Sequence, residues 1–420
     1  MGIALFCIYL FLFAWVVTRV KFFTDSGVSK EWLVIIYLIN VLAGIVYGWI
    51  GMYQSSVNNE MTDTWVFHYA GLRHAAMLFN DPHAYAQDIV VNSYGDGGLF
   101  TSSNSYWNNL KGNAFIKLLS VFDCFSFGNY FINVIFYCFI VLFGTVALYR
   151  VMSSHFKTHR FYLVAGCFFI PSFLYWNNGI HKDGLCFLGI SMIIYCFYFY
   201  VNRNVFSAKV IAGLVTGGLL LFVFKNHLLA ILLPALAAWY WAERQPRQKL
   251  KIFMVVYILV IIGFFGSRYI SPVLDFPAVL AEKQQAFNAL PGGRSSLKVQ
   301  QLEPTVASFI KLLPQAISLS SFRPYYSDIY SWLIVLAVAE LLFLWAMLLL
   351  AIFYYAVTVQ LRTTPFGFFI SIYSISVLLA IGYTVNNLGA TVRYRSIIIP
   401  LVAPFLLAAL YRYKLNKYKK

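Results

Sequence analysis

Long apolar runs alternate with polar connections through most of the chain. An apolar helix of about 20 residues crosses the roughly 30 Å of hydrocarbon in a bilayer, and the runs have about this length. The pattern therefore predicts an all-α polytopic membrane protein, with about 11 transmembrane helices in a single transmembrane domain. The runs lie at 3–20, 32–50, 128–151, 161–177, 184–201, 209–224, 228–242, 251–270, 331–357, 366–383 and 396–412 of residues 1–420.

Composition supports this class. Hydrophobic residues make up 61% of the chain and charged residues only 11%, whereas soluble domains carry about 25% charged residues. The lipid bilayer is thus the first expected partner. The net charge of +16 does not indicate nucleic acid as a partner, because the basic residues lie mostly in short connections and not in a patch on a soluble fold. The six cysteines lack the spacing of metal sites. All but Cys124 fall inside apolar segments, and we expect them to be packing residues.

The basic connections predict the orientation. If the spans alternate, these connections fall on one side, which the positive-inside rule makes cytoplasmic. The N-terminus is then outside, the C-terminus is cytoplasmic, and the first apolar run is a retained helix, since it lacks the features of a signal peptide. Two long loops become exterior: 51–127, which contains an interfacial helix, and 271–330. The basic residues concerned are Arg19, Lys21, Arg150, Lys157, Arg160, Arg203, Lys209, Arg244, Arg247, Lys249, Lys251, Arg362, Arg412, Lys414, Lys417, Lys419 and Lys420.

A polar hairpin at 171–184 stands between two apolar runs and carries His181, Lys182 and Asp183 in succession. Charge at this depth is costly unless it has a partner or a function, so a binding or catalytic role is one interpretation. The other is an ordinary tight loop, in which an Asn-Asn-Gly turn precedes a helix capped by Asp183. By the predicted orientation the hairpin is exterior, with 225–227 and 384–395.

The first exterior loop contains a helix-period pattern that starts near Asp63, includes His68 and stops at 80–82. A carboxylate at the boundary between water and lipid could act as a general base or a metal ligand. The alternative is that Thr62 or Asp63 is simply the N-cap. A Tyr- and Ser-rich run at 101–109 suits stacking on sugar rings, or an aromatic belt at the membrane interface.

Arginines mark the later exterior segments. Arg323 closes the second long loop, and Arg393 and Arg395 stand at the membrane edge before the last span. Such residues bind phosphate through paired N–H donors, or extend to lipid head groups. Glu340, well inside an apolar run, should pair with a basic residue or line a cavity. The turn around Arg294 is either solvated or closes over a ligand.

A set of cations with a few acids suits an anionic, lipid-tethered substrate such as a polyprenyl pyrophosphate. Cations would neutralise the leaving pyrophosphate while a carboxylate or a histidine takes the proton of the acceptor hydroxyl.

On several short motifs the chain resembles the membrane proteins of bacterial surface-polysaccharide gene clusters, in particular Bacteroidetes-type relatives of O-antigen polymerases and GT-C glycosyltransferases. The motifs are Thr62-Asp63-Thr64, the hairpin 171–184, Phe322-Arg323-Pro324 before the run with Glu340, and 387–395 running into Pro400. The resemblance implies sugar transfer from a polyprenyl-linked donor at the periplasmic face of the inner membrane. It assigns the base to Asp63, and the grip on pyrophosphate to Arg323, Arg393 and Arg395. One departure is that the first long loop follows the second predicted span, whereas GT-C enzymes place it after the first.

The expected function is therefore a membrane glycosyltransferase of the polysaccharide-polymerase type. Its candidate catalytic residues are Asp63, His181 and Asp183, and its candidate substrate-binding residues are Lys182, Arg323, Arg393, Arg395 and His68. A divalent cation is left open as a cofactor, and other polysaccharide-assembly proteins as partners. Two alternatives stay open. One is a flippase or transporter for the same lipid-linked sugar, and the other is a membrane acyltransferase that uses His181 as base.

Overall fold

The computed structural model describes residues 2–58, 60–90, 106–156, 160–203, 206–271, 274–290, 293–358 and 364–417, and gives the backbone alone at 58, 89–90, 106–109, 203, 354–358 and 412–417. The predicted sugar-stacking run at 101–109 therefore lies outside the described side chains.

The described chain is helical, as the sequence predicts. Short 3₁₀ turns occupy Pro246–Gln248 and Tyr326–Asp328, and a π-helical turn occupies Ser318–Phe322. The helices are α1 Gly2–Val17, α2 Lys21–Thr24, α3 Lys30–Asn58, α4 Asp63–Asn80, α5 Pro82–Val90, α6 Tyr106–Ser126, α7 Tyr130–His155, α8 Arg160–Phe168, α9 Pro171–Asn178, α10 Lys182–Arg203, α11 Ala208–Arg244, α12 Lys249–Ile270, α13 Phe276–Asn288, α14 Val306–Ile317, α15 Trp332–Thr358, α16 Pro365–Thr384, α17 Leu388–Ser396 and α18 Ile399–Lys417.

Within the described ranges, 7 helices are long and apolar enough to cross a membrane, and α17 with α18, bent by 65°, would make an eighth. This confirms a polytopic membrane protein, with fewer long spans than the roughly 11 predicted. The seven are Lys30–Val57, Tyr130–His155, Lys182–Asn202, Ala208–Arg244, Pro246–Ile270, Trp332–Phe353 and Pro365–Thr384.

The difference has local causes. Helix α1 has 16 residues, fewer than a typical span requires. The run at 161–177 divides into α8 and α9, of 9 and 8 residues, because Pro171 cannot continue the preceding helix. The runs at 209–224 and 228–242 both belong to α11, where Lys225 alone has non-helical angles (φ −148°, ψ 72°).

Contacts divide the chain into two compact units, where the sequence predicted a single domain. Unit 1 comprises Met1–His155 and Phe173–Asn226, and unit 2 comprises Phe156–Ser172 and His227–Lys420.

In unit 1 the start of α4 is anchored on α3 and α7. The Trp65 indole donates a hydrogen bond to the Gly48 carbonyl (3.0 Å) and stacks on the Tyr130 ring. The hydroxyls of Thr64 and Tyr130 lie 2.7 Å apart in a buried hydrogen bond. Because these contacts surround Asp63 in sequence, they determine where its carboxylate lies.

In unit 2 the second long loop is joined to the segment before α17. The Leu297 amide donates to the Asn386 carbonyl (2.8 Å), and the Leu388 amide donates to the Ser295 carbonyl (2.9 Å). Both segments are predicted to be exterior, and their pairing requires them to lie at the same end of unit 2. Arg294, at the predicted tip, is exposed beside this pairing.

Candidate functional site

His181 lies between two carboxylates in unit 1. Its Nδ1 is 3.0 Å from Oδ2 of Asp183, and its Nε2 is 3.5 Å from Oδ2 of Asp63. The imidazole is 7% exposed and Asp183 is 1% exposed, whereas Asp63 is 63% exposed. The predicted catalytic residues thus come together, with one carboxylate in the protein interior and the other in contact with solvent.

The prediction that Thr62 or Asp63 is the N-cap of α4 is confirmed for the position of Thr62. The cap position belongs to Thr62, and Asp63 is the first helical residue of α4. The Thr62 hydroxyl donates to the Gly51 carbonyl (3.2 Å) and does not cap α4. The Asp63 carboxylate, at the start of α4, approaches Nε2 of His181 at 3.5 Å.

Asp183 is held by an ion pair. Its Oδ1 accepts a hydrogen bond from Nζ of Lys225, the residue that interrupts α11. Asp183 also lies in the first turn of α10, where the helix dipole favours a negative charge. The prediction that Asp183 caps the following helix is therefore wrong, because α10 already begins at Lys182. The Lys225 ammonium and the helix dipole both favour a negative charge on this buried carboxylate.

The arrangement defines which edge of the imidazole is available. Asp183 faces Nδ1, so a proton on Nδ1 leaves the Nε2 lone pair facing Asp63. The approach to Asp183 is close but is not aligned as a hydrogen bond, and catalytic hydrogen bonds often align only when substrate is bound. The Tyr137 hydroxyl donates to the His181 carbonyl and holds the backbone at this point. The geometry places a carboxylate oxygen near each nitrogen of the imidazole.

Lys182 lies next to this pair of carboxylates. Its Nζ is 4.6 Å from the centre of the Phe67 ring, and the same ring is 6.1 Å from the His181 ring. Lys111 of α6 interacts electrostatically with Lys182. Lys111 is a lone lysine beside a Gly-Asn pair and carries no local sequence signal of a site.

His68 occupies a separate buried position in unit 1. Its Nδ1 is 3.9 Å from Oδ1 of Asp123, and Nδ2 of Asn133 donates to the same oxygen (2.6 Å). Burial lowers the pKa of His68 to about 4, so the ring is neutral at neutral pH. Burial raises the pKa of Asp123 to about 6, against the opposing effect of the Asn133 hydrogen bond. These are contacts of a core histidine, and its substrate-binding role stays a prediction.

The predicted phosphate-binding arginines lie in unit 2. Arg395 is buried, and its Nη1 donates to the carbonyls of Ser320 (3.0 Å) and Arg323 (2.8 Å). The Arg323 side chain pairs with Asp328 (2.9 Å). Arg393 is half-buried, with Nη2 donating to the Tyr394 hydroxyl (3.2 Å). The structure thus joins Arg323 to Arg395, but through donors that already serve the fold.

Glu340 is held by Ser172, and Arg395 lies within electrostatic reach but forms no ion pair with it in the described part of the chain. Its carboxylate accepts hydrogen bonds from the amide and the hydroxyl of Ser172, both at 2.6 Å, and it is within electrostatic reach of Arg395. A buried acid inside an apolar helix is thereby satisfied by two donors and an attractive charge.

Among the residues whose positions are described, no group of three or more His, Cys, Asp or Glu side chains is placed to hold a metal ion. A divalent cation therefore stays an untested prediction. Comparison with known protein families, with curated proteins and with solved structures finds no match to this chain. Functional conclusions must therefore come from the geometry of the chain itself.

Proposed function

We propose that the chain is a membrane glycosyltransferase that uses polyprenyl-(pyro)phosphate-linked sugars at the periplasmic face of a bacterial inner membrane, as a polysaccharide polymerase does. The observation that supports this most is the His181 imidazole between a buried, ion-paired Asp183 and an exposed Asp63.

Sugar transfer requires a base for the acceptor hydroxyl. In this proposal Nε2 of His181, with Asp63, takes the proton, and a positioned base of this kind contributes about 10²- to 10⁴-fold to the rate. The buried Asp183 stabilises the imidazolium that forms, because opposite charges attract strongly where water is excluded. Asp63 is exposed enough for a hydrated sugar to reach it.

The position of these residues along the chain suits a lipid-tethered donor. Asp63 follows the end of α3 by five residues, and Lys182 is the first residue of α10. Both α3 and α10 belong to the helices long enough to span a membrane. Groups at the ends of such helices lie near the boundary where a lipid-linked phosphate also lies.

The test uses His181→Gln and Asp63→Asn in the native host. The matched controls are His83→Gln and Glu60→Gln, which change exposed residues of the same loop. Surface polysaccharide is measured on a gel ladder, and lipid-linked repeats are measured separately on each leaflet. Loss of long chains in the two site variants, with single repeats accumulating on the periplasmic leaflet, would support the proposal. Normal ladders in both variants, at normal membrane abundance, would refute it.

A flippase for the same lipid-linked sugar is the second candidate, because of one observation in unit 2. Glu340 lies within the apolar helix α15, and the oppositely charged Arg395 of α17 is within electrostatic reach; charges inside membrane segments often mark substrate paths. In the same experiment a flippase predicts accumulation on the cytoplasmic leaflet.

A further inference from the structure

Helix α14, in the second long loop, carries three different faces. Its buried face consists of Phe309, Leu312 and Ala316. Its polar face consists of Ser308, Lys311 and Gln315. At 3.6 residues per turn, the side nearly opposite the polar face is occupied by four more apolar residues. These residues, which we call the apolar stripe, are between 37% and 67% exposed: Val306, Ile310, Leu313 and Ile317.

The buried face packs near the ends of two long apolar helices. The Phe309 ring contacts the rings of Phe264 and Phe265 in α12, with centroids 5.6 and 5.3 Å apart. It also contacts the Tyr383 ring of α16 at 5.0 Å. Tyr383 is one residue from the end of α16, and Phe265 is five residues from the end of α12. Both helices are long and apolar enough to cross a membrane, so α14 lies near the level at which they leave it.

Helix α14 crosses α16 and does not run along it. The Tyr383 hydroxyl donates to the Phe309 carbonyl (2.7 Å), and a Cβ on the neighbouring Gly382 would meet the backbone of Ala316. Phe309 and Ala316 are seven residues apart, a rise of about 10 Å in an α-helix, yet their contacts on α16 are adjacent residues. The axis of α14 is therefore steeply inclined to that of α16 and lies close to the membrane plane.

Lipid is the partner that fits the apolar stripe. Lys311 is exposed on the side nearly opposite the stripe, and helices that lie in a membrane interface have this arrangement, with basic residues toward water. Helix α12, on which α14 packs, also exposes large apolar side chains, as a helix in hydrocarbon does. Among them are Ile258, Leu259 and Ile262. The apolar stripe thus belongs to a helix that packs on a lipid-facing span, and in water it would be unfavourable.

We propose that α14 is an interfacial helix that binds the lipid of the leaflet in which α12 and α16 end. The apolar stripe lies among the acyl chains, and Lys311 lies in water with the rest of the polar face. The second long loop is therefore attached to the membrane along α14. The helix continues directly into the turn Ser318–Phe322, whose Ser320 carbonyl accepts a hydrogen bond from Arg395. Lipid binding by α14 thus also fixes the depth of this buried arginine, whichever reaction the protein catalyses.

The experiment measures the surroundings of nitroxide labels on the full-length protein in lipid nanodiscs. Labels are attached at Ile310→Cys and Ile317→Cys in the stripe, and at Lys311→Cys, an exposed neighbour on the polar face, as the matched control. The exposed Cys7 and the partly exposed Cys124 are replaced by serine, because the other cysteines are buried. Collision of each label with oxygen, which concentrates in hydrocarbon, is compared with its collision with a water-soluble nickel chelate.

Two exposed reference positions calibrate the measurement, Ile258→Cys in α12 for lipid and Glu303→Cys before α14 for water. The ratio of oxygen to chelate collisions at the two stripe positions is expected to match that at Ile258→Cys. The ratio at Lys311→Cys is expected to match that at Glu303→Cys. Because the stripe is exposed, labelling should leave the melting temperature unchanged, and Leu313→Cys replaces a stripe position that fails this check.

Three results would overturn the proposal. Ratios at the stripe as low as that at Glu303→Cys would show that the stripe faces water. Stripe labels shielded from both reagents would show that a second copy of the chain or another protein covers it. A lipid-like ratio at Lys311→Cys as well would show that α14 is fully embedded and does not lie at the interface.

Discussion

The buried pair of His68 and Asp123 should contribute two opposing pH dependences to the stability of unit 1. The pKa of His68 is lowered from its ordinary 6.5 to about 4, and that of Asp123 is raised from 3.8 to about 6. A pKa change of one corresponds to about 1.4 kcal/mol, so each residue contributes about 3 kcal/mol across its window. Both side chains are almost fully buried, and solvent therefore screens these terms little.

The signs follow from proton counts. Between about pH 4 and 6.5 the unfolded chain holds a proton on His68 that the folded protein lacks, so this residue makes stability rise with pH and its penalty is gone above 6.5. Between about pH 4 and 6 the folded protein holds a proton on Asp123 that the unfolded chain lacks. Asp123 therefore makes stability fall as the pH rises through this window. In the wild type these two opposite pH dependences of stability largely cancel.

Replacing either residue should reveal the pH dependence of stability that the other residue contributes. The Asp123→Asn variant keeps an oxygen for the Asn133 donor, and its stability relative to wild type should rise by about 3 kcal/mol from pH 4 to 6. His68→Gln should show the reverse, falling by a similar amount relative to wild type. Tryptophan fluorescence during unfolding in detergent, from pH 4 to 7.5, measures both difference curves. Flat difference curves for both variants would refute the reasoning.

Two further predictions concern stability. Lys225→Ala should destabilise unit 1 by about 3–5 kcal/mol, because it removes the lysine that pairs with the buried Asp183 carboxylate. Adding Asp183→Asn to this variant should recover much of the lost stability. Thermal unfolding in detergent measures both variants, and a double variant no more stable than Lys225→Ala would contradict the prediction. Gly382→Ala should cost about 1–3 kcal/mol, because a Cβ there would lie 2.0 Å from the Ala316 carbonyl oxygen. At Gly218 a Cβ has nothing within 4 Å, so Gly218→Ala should be neutral or stabilising, and equal melting temperatures of the two alanine variants would count against the packing argument.

Periodicity was sufficient to predict some elements closely. The pattern that begins near Asp63 and stops at 80–82 became α4, Asp63–Asn80, since helix-period spacing and a terminating Asp-Pro are local signals. Local signals could not predict where α8 and α9 would separate, or that Lys225 would interrupt α11 at a single residue. Those outcomes depend on proline sterics and on the Asp183 pair, and the latter joins residues 42 apart.

The candidate site was predictable in part for the same reason. His181 and Asp183 are neighbours in sequence, and an unusual charge run in apolar surroundings is visible without a structure. The approach of Asp63 to His181 joins α4 to the hairpin, and the contact of Lys182 with the Phe67 ring joins the same two segments. Contacts between residues so far apart in the chain leave no local pattern in the sequence, so the sequence alone could not predict that Asp63 lies beside His181.

The ion pair of Asp183 and Lys225 helps to decide whether His181 belongs to an ordinary tight loop or to a binding or catalytic site. Removing two charges from water costs several kcal/mol for each ion, and a well-packed apolar pair is often as stable or more so. A pair kept 1% and 13% exposed is therefore poorly explained as a device for stability. It is better explained by what the carboxylate does with its second oxygen, which lies 3.0 Å from Nδ1 of His181. Paired with Lys225 through one oxygen, Asp183 can lie in the interior and still present its other oxygen to the imidazole. An apolar replacement would lack this second property.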